Sequence, residues 1–235
     1  MIEISQRKAA CVAGFSLIAM ALLAGFSYGL VLQELMVPDD ATTINNIKSS
    51  MLLFRLGIGS FLVVLILDVL VAWALYIFLK ETNNYLSLLT ASFRIVFAAI
   101  FGMALLNLIY VSSLLDGSAY LLAFGQAQLV ALVRLSLNAF HLSWALGLVV
   151  FGCHLLSLGY LVSKSTSIPT VWSILLIIAG LCYLLTNFAN ILLPTYEKYK
   201  TLVETYTVLP MVVGELGFGL WLLFKGGKIT KEQIS

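Results

Sequence analysis

Apolar residues dominate the chain in long continuous runs that are separated by short polar breaks. A helix that crosses a membrane needs about 20 mostly apolar residues, because about 30 Å of hydrocarbon is crossed at about 1.5 Å per residue. Six runs reach that length, at residues 9–36, 51–78, 86–115, 137–162, 168–193 and 207–224. The pattern therefore predicts an all-α fold, a polytopic bundle of six transmembrane helices.

The stretch 117–136, between the third and fourth runs, is the ambiguous part of this pattern. It is apolar but is interrupted by Gly125, Gln126, Gln128 and Arg134. As a seventh span it would place the Lys-rich C-terminal end outside and invert the charge balance of the later loops. We therefore interpret it as an interfacial or re-entrant segment before the fourth span. Because no repeat or linker is recognisable, residues 1–235 are predicted to form a single membrane domain.

The basic residues of the short loops predict the orientation of the helices. The first apolar run continues to Leu32, beyond the site where a secretory leader would be cleaved, so we expect an uncleaved first helix. If the N-terminus is cytoplasmic, that side holds most of the loop cations, namely Arg7, Lys8, Lys80, Lys164, Lys225, Lys228 and Lys231, against Lys48, Lys198 and Lys200 outside. Both termini are therefore predicted to be cytoplasmic, in the inner (cytoplasmic) membrane of the cell.

Composition agrees with a membrane protein and excludes several other classes. Of the 235 residues, 61% are hydrophobic and 10% are charged, and the mean hydropathy is +1.05, well outside the range of soluble domains. The net charge of +2 is small and its basic residues are scattered, so nucleic acid is not an expected partner, whereas membrane lipids are. Cys11, Cys153 and Cys182 are odd in number and widely spaced, which argues against a disulfide framework or a Cys-based zinc site.

Four ionisable residues interrupt the apolar runs: Asp68, Arg94, His154 and Glu215. A lone charge at bilayer depth costs at least about 2.5–3.5 kcal/mol, so such residues are usually paired, hydrated or functional. By helical rise, Asp68 and Arg94 lie about 18 and about 12 Å from the cytoplasmic ends of adjacent antiparallel helices, which predicts an ion pair. We expect all four residues to converge and to form a buried polar binding site.

A second polar set is predicted toward the outer face. Its members recur at i, i+4 and i+7, so each group lines one face of a helix. The groups are Arg134, Asn138 and His141 on the fourth span and Tyr183, Asn187 and Asn190 on the fifth, with Arg55 entering the second span at similar depth. We expect these side chains to form a vestibule.

Each of these residues also has a purely structural interpretation. The Asp68–Arg94 pair could fix helix register, and His154 could make a helix–helix hydrogen bond. Asn187 and Asn190 are most simply interhelical hydrogen-bonding residues. Glu215 is the exception, since the sequence places no basic residue one helical turn away from it.

The sequence predicts no metal site and indicates no particular cofactor. The two histidines lie thirteen positions apart on one predicted helix, about 20 Å by rise, and cannot share a metal ion. A zinc site would have to combine one histidine with Asp68 or Glu215, and the spacing of these residues does not favour one.

Short motifs along most of the chain resemble a mostly bacterial family of integral membrane proteins, domain of unknown function 4386. They include Arg55-Leu56-Gly57, Leu67-Asp68-Val69, Ser92-Phe93-Arg94, His154-Leu155-Leu156, Gly214-Glu215-Leu216 and Leu220-Trp221-Leu222-Leu223. The resemblance implies a multi-pass fold in a bacterial cytoplasmic membrane, with no assigned activity. It marks Arg55, Asp68, Arg94, His154 and Glu215 as pattern positions.

Three functions remain open at this point. The first is binding or transport of a small solute or proton through the polar interior, motivated by the ionisable residues at membrane depth. The second is a structural or accessory membrane subunit, in which the charges only hold helices together. The third is a metal-assisted intramembrane hydrolase with His154 as a ligand. The sequence does not decide whether the chain is an enzyme, and it predicts no oligomeric state.

Overall fold

The computed structural model describes residues 5–117, 125–193 and 195–228. Within these ranges the chain forms seven helices and a 3₁₀ turn, Tyr196–Lys198, and contains no β-strand. The helices are α1 (Gln6–Leu35), α2 (Asp40–Ser49), α3 (Met51–Leu79), α4 (Asn84–Leu114), α5 (Gln126–Ser163), α6 (Thr170–Leu192) and α7 (Lys200–Phe224). All but α2 are long and apolar enough to cross a membrane. The predicted all-α fold with six spans is therefore confirmed.

Two helices begin more than one turn earlier than the apolar pattern predicted. Helix α5 begins at Gln126 instead of residue 137, so residues 126–136 continue the fourth span and are not a separate interfacial or re-entrant segment. The predicted span was too short because Gln and Arg are polar and interrupt the apolar run. They are good helix formers, however, so the helix itself continues through them. Helix α7 likewise begins at Lys200 instead of residue 207. The rest of the ambiguous stretch, 118–124, lies outside the described residues.

Helix α2 is a short polar helix that the apolar pattern did not predict. The Asp39 carboxylate is its N-cap and accepts hydrogen bonds from the Thr42 hydroxyl (2.6 Å) and the Thr42 amide (2.7 Å). The bond from the hydroxyl has the larger effect and the bond from the amide the smaller one, and together they lower the pKa of Asp39 below its ordinary value of 3.8. Asp is one of the residues preferred at a helix N-cap, so the signal for the start of α2 was present in the sequence.

The contacts divide the chain into two compact units. The first contains residues 1–19, 67–98 and 145–235, and the second contains residues 20–66 and 99–144. The single membrane domain stays a prediction.

In the second unit, α1 contains a π-helical segment, Gly25–Leu32. Within it the Ser27 hydroxyl donates to the Gly57 carbonyl of α3 (2.9 Å). Trp144 packs in the same unit against four aromatic rings at centroid distances of 5.1 to 5.8 Å, those of Tyr28, Phe61, Phe101 and Phe140. Aromatic packing of this kind supplies much of the buried apolar area of a helical core.

In the first unit, a tight turn joins α3 to α4. The Asn83 side chain caps α4 by accepting from the Leu86 amide (3.0 Å), and the Ser87 hydroxyl donates to the Tyr76 carbonyl (3.1 Å). The short connection makes the two helices antiparallel neighbours. Asp68 and Arg94 therefore lie on adjacent helices, as depth counting predicted.

Glycines allow α5 and α6 to approach closely. A Cβ on Gly152 would lie 3.0 Å from the Gly180 carbonyl oxygen, and one on Gly159 would lie 3.0 Å from the Ser173 carbonyl oxygen. The Ser173 hydroxyl also donates to the Gly159 carbonyl (2.8 Å). Such close backbone contact is how small residues drive helix association in membranes.

Helix α7 packs against α6 in the same manner. A Cβ on Gly214 would lie 3.0 Å from the Leu175 carbonyl oxygen, and one on Gly217 would lie 2.6 Å from the Trp172 ring. Three packed helices of the first unit thus carry His154, Tyr183 and Glu215.

Helix α7 also meets the first part of α1. The Arg7 guanidinium donates to the carbonyls of Leu222 (3.1 Å), Leu223 (2.6 Å) and Gly226 (2.7 Å), and we call this arrangement the Arg7 cap. About two turns after Arg7 on α1, a Cβ on Gly14 would lie 2.6 Å from the backbone of α7. The last carbonyls of a helix lack intrahelical donors, and Arg7 satisfies three carbonyls at this end.

Candidate functional site

The first unit contains a buried ion pair. The side chains of Asp68 and Arg94 are almost completely buried, and Arg94 Nη2 lies 2.8 Å from Asp68 Oδ1. The ion pair predicted from helix depth is therefore present. Burial of both charges is tolerable because each neutralises the other.

His154 is fully buried and contacts the same guanidinium. Its Nε2 lies 3.2 Å from Arg94 Nη1, and its Nδ1 lies 2.9 Å from the Thr90 carbonyl oxygen. A carbonyl oxygen only accepts hydrogen bonds, so Nδ1 must carry the proton. An arginine only donates, so Nε2 must accept. These contacts assign His154 as a neutral imidazole in the Nδ1–H tautomer.

Aromatic rings cover the guanidinium. Its central carbon lies 5.3 Å from the centroid of Phe151, a cation–π geometry. Phe151 in turn packs against Phe97 (4.9 Å) and, edge to face, against Tyr183 (5.2 Å). These rings keep the ion pair in an apolar environment, where electrostatic interactions are strong.

Glu215 lies beside this pair. It is half-buried, and the Tyr183 hydroxyl is close enough to interact with its carboxyl group as a hydrogen-bond donor. The charges of Arg94 and Asp68 also act on Glu215. We call these five residues, Asp68, Arg94, His154, Tyr183 and Glu215, the Arg94 cluster. All four residues predicted to converge belong to it.

The charges of the Arg94 cluster do not balance when both carboxyl groups are ionised. Asp68 and Glu215 then carry two negative charges, whereas Arg94 carries one positive charge and His154 is neutral. A net charge of −1 at membrane depth costs about 2.5–3.5 kcal/mol or more. A bound proton or another monovalent cation would restore neutrality.

Several polar atoms of the cluster and its neighbour Thr90 have no aligned hydrogen bond among the described residues. They include both carboxylate oxygens of Asp68 and the Thr90 hydroxyl, all fully buried. Asp68 Oδ1 nevertheless has the Arg94 guanidinium as its electrostatic partner, since Arg94 Nη2 lies 2.8 Å away. Buried polar atoms are nearly always partnered, so these oxygens are an unusual feature of the fold.

Most of the predicted outer set lies in the second unit. Arg55 donates to the Ser112 hydroxyl (3.0 Å), and Arg134 forms an exposed ion pair with Asp40 (3.1 Å). Asn138 and His141 are exposed. Exposed pairs of this kind contribute little to stability.

The remaining members of the outer set, Asn187 and Asn190, lie on α6 in the first unit. Among the described residues, the Asn187 amide nitrogen donates to the Tyr183 carbonyl (2.9 Å) and the Thr186 hydroxyl (3.3 Å) of its own helix. Its role as an interhelical hydrogen-bonding residue stays a prediction. Asn190 is half-buried. The outer vestibule stays a prediction.

The contacts of His154 argue against a role as a metal ligand. Both ring nitrogens are engaged, one of them by a guanidinium whose positive charge would repel a metal ion. Within the described part of the chain, no three His, Cys, Asp or Glu residues are grouped so that they could hold a metal. The residues therefore give the hydrolase alternative no support.

Sequence reasoning missed three participants: Thr90, Phe151 and the contact of Tyr183 with Glu215. Thr90 precedes Arg94 by one helical turn, a spacing that could have placed it on the same face. Phe151 precedes His154 by three residues, which is again one turn. Tyr183 was assigned to the outer set because it shares a face with Asn187.

Comparison with known proteins gives two matches. The profile of the family described as "Domain of unknown function (DUF4386)" matches residues 12–226. An "Uncharacterized protein" of Archaeoglobus fulgidus is 33% identical over 174 residues, which cover 74% of this chain and 85% of the relative. No solved structure matches the chain significantly.

Proposed function

The chain belongs to the family described as Domain of unknown function (DUF4386), and we propose that this multi-pass membrane protein binds and releases a proton at Glu215 and couples this step to the movement of a small solute. The observation that carries the proposal is the charge imbalance of the Arg94 cluster. Protonation of Glu215 makes the cluster neutral, and release of the proton makes it negative.

The surroundings of Glu215 support a group that changes its protonation state. Tyr183 of α6 faces its carboxyl group, and the charges of Arg94 on α4 and Asp68 on α3 act on it. His154 of α5 is held neutral by its contacts with Arg94 and Thr90 and contributes no charge. The Asp68–Arg94 pair is already neutral as a unit, so Glu215 is the carboxyl group left to exchange a proton.

We further propose that the protein lies in the cytoplasmic membrane of the cell with both termini in the cytoplasm. The excess of Lys and Arg in the loops on that side supports this orientation. Because one relative of the chain belongs to an archaeon, we do not restrict this proposal to bacterial membranes.

The first test is Glu215→Gln in purified protein. Infrared difference spectra recorded across a pH titration should show a carboxylic-acid carbonyl band that belongs to wild type and is absent in Glu215→Gln. The second measurement uses liposomes with an entrapped pH-sensitive dye, in which a membrane potential drives proton uptake. Uptake by Glu215→Gln should fall to the level of protein-free vesicles. The reason is that Gln keeps the shape of Glu but cannot exchange a proton.

Glu81→Gln is the matched control, because Glu81 is exposed in the turn after α3. It should keep both the infrared band and the proton uptake of wild type. If Glu215→Gln folds normally and takes up protons at the wild-type rate, the proposal is wrong.

An accessory subunit is the second candidate function, and one observation favours it. Arg94 binds both Asp68 and His154, and His154 binds the Thr90 carbonyl. Three of the four predicted site residues are thus polar partners of one another, and no ligand is needed for these contacts. This is expected of a network that joins helices α3, α4 and α5.

A further inference from the structure

Arg55 is a cation on an exposed apolar face of α3. Its side chain is exposed, and so are those of Leu52, Leu62 and Ile66. These three residues lie three positions before Arg55 and seven and eleven positions after it, so all four share one face of the helix. Because α3 is long and apolar enough to span a membrane, we expect lipid to cover this face.

The position of Arg55 along α3 corresponds to the boundary between hydrocarbon and lipid headgroups. Helix α3 has 29 residues, which span about 43 Å at about 1.5 Å per residue. The hydrocarbon is about 30 Å thick, so a centred helix extends about 7 Å beyond it at each end. Arg55 lies four positions after Met51, the first residue, or about 6 Å along the helix. Helical side chains lean toward the N-terminus, which at this end is toward the headgroups.

A serine of α4 orients the guanidinium of Arg55. Arg55 Nε donates to the Ser112 hydroxyl (3.0 Å). Ser112 is itself buried, and its hydroxyl donates to Met51 Sδ (3.6 Å). Among the described residues, neither terminal nitrogen of Arg55 has a hydrogen bond or an ion pair. A guanidinium held in this way presents its terminal N–H groups as a planar fork, the geometry that suits phosphate oxygens.

The surroundings of Arg55 favour a phospholipid as its partner. A headgroup phosphate supplies negative charge and acceptor oxygens at the depth of the guanidinium, and acyl chains match the apolar side chains of Leu62 and Ile66 on the same face. A soluble anion would match the charge and leave the apolar face uncovered. Arg134 differs from Arg55, because it is already paired with Asp40 (3.1 Å).

We propose that Arg55 binds the phosphate group of a phospholipid in the leaflet where α3 begins, and that the acyl chains of this lipid pack along the face that carries Leu62 and Ile66. Ser112 acts as a positioning residue, since it fixes the plane of the guanidinium. The inference goes beyond the proposed function, because no residue of the Arg94 cluster takes part in it.

The test compares two lipids that differ in the phosphate group. The purified protein in detergent is titrated with phosphatidylglycerol or with diacylglycerol of the same acyl chains, and native mass spectrometry measures the affinity for the first bound lipid. Wild type should bind phosphatidylglycerol about tenfold more tightly, the equivalent of one hydrogen bond to a charged group. Equal affinities would overturn the inference. Inorganic phosphate should not displace the lipid, and displacement would show that the occupant is a soluble anion.

Arg55→Gln and Ser112→Ala test the two residues of the site. Arg55→Gln should lower the affinity for phosphatidylglycerol about tenfold, to that for diacylglycerol. Ser112→Ala keeps the charge but frees the guanidinium, so it should lower the affinity about threefold. In both variants the affinity for diacylglycerol should keep its wild-type value, a difference that general damage to the fold would not produce.

Arg134→Gln is the matched control, because it removes the same charge from an exposed arginine that already has Asp40 as its partner. It should keep the wild-type affinity for phosphatidylglycerol. An equal loss in Arg134→Gln and Arg55→Gln would assign binding to positive charge in general and would overturn the site.

Two further results complete the test. Arg55→Lys keeps the charge if Arg55→Gln fails to fold, but it lacks the planar fork and should bind phosphatidylglycerol about threefold more weakly than wild type. Wild-type affinity in Arg55→Lys would contradict recognition by the guanidinium. The same spectra report the oligomeric state, and a dimer that dissociates in Arg55→Gln would show that Arg55 contacts a second copy of the chain instead of a lipid.

Discussion

At the scale of single residues, Arg94 organises the buried polar interior of the first unit. One of its terminal nitrogens pairs with Asp68, the other donates to His154, and its plane lies near the Phe151 ring. Removal of one partner of a buried ion pair leaves the other charge uncompensated, which costs about 3–5 kcal/mol. The energetic effects of Asp68 and Arg94 must therefore be strongly coupled.

A double-mutant cycle on Asp68→Asn and Arg94→Gln measures this coupling. We expect each single variant to lose about 3–5 kcal/mol of stability, and the double variant to lose less than the sum, with a coupling energy of about 0.5–3 kcal/mol. Unfolding of the purified protein in mixed detergent micelles provides the free energies. Losses that add within about 0.5 kcal/mol would show that the two residues act independently.

The same cycle separates the proposed function from an accessory role. If the network only joins helices, the double variant should still assemble in the membrane at close to the wild-type level. If Glu215 needs the Asp68–Arg94 pair beside it for proton exchange, the double variant should fold but lose proton uptake.

Sequence reasoning predicted part of this site for a physical reason. Asp68 and Arg94 could be paired because depth along a helix follows directly from counting residues, and because a short turn makes α3 and α4 neighbours. The contact between Arg94 and His154 depends on how α5 rotates about its axis. That rotation is set by packing at Gly152 and Gly159, which no count of residues reveals.

At the scale of helices, the Arg7 cap connects α1 to the end of α7. The guanidinium satisfies three carbonyl oxygens at a helix C-terminus, where a positive charge also interacts favourably with the helix dipole. The close approach of Gly14 to α7 lies on the same interface. Glu215 lies on α7 about two turns before the capped carbonyls, so the cap helps to fix the position of its helix.

Arg7→Gln should destabilise the protein by about 1.5–3 kcal/mol, the contribution of hydrogen bonds to a charged group. Thermal and denaturant unfolding in detergent provide the measurement. Lys8→Gln is the control, because the neighbouring Lys8 side chain is exposed and should contribute little. A loss of stability in Lys8→Gln as large as that in Arg7→Gln would assign the effect to charge near the N-terminus and not to the cap.

The length of the apolar runs predicted the number of membrane-spanning helices correctly, but it did not predict where some of these helices begin. Six spans were predicted correctly, because the hydrocarbon thickness fixes a minimum length for each one. The starts of α5 and α7 were missed because polar residues such as Gln126 and Lys200 end an apolar run without ending a helix. The π-helical segment of α1 has no signal in an apolar pattern, since it depends on local backbone geometry.

At the scale of the whole molecule, the proposed orientation places the loops after α3 and α5 in the cytoplasm. A membrane-impermeant maleimide can test it with single cysteines in a variant that lacks Cys11, Cys153 and Cys182. Lys80→Cys should be labelled only after the cells are permeabilised, whereas Lys48→Cys should be labelled in intact cells. The opposite pattern would invert the orientation.

The Arg7 cap has a consequence for biosynthesis. Arg7 and its carbonyl partners are separated by 215 to 219 positions along the chain. At about 5–20 residues per second, a ribosome needs roughly 10 to 40 s to make the intervening sequence. Throughout that interval α1 waits in the membrane without its last neighbour, and a chain that stops before Leu222 never provides the acceptors.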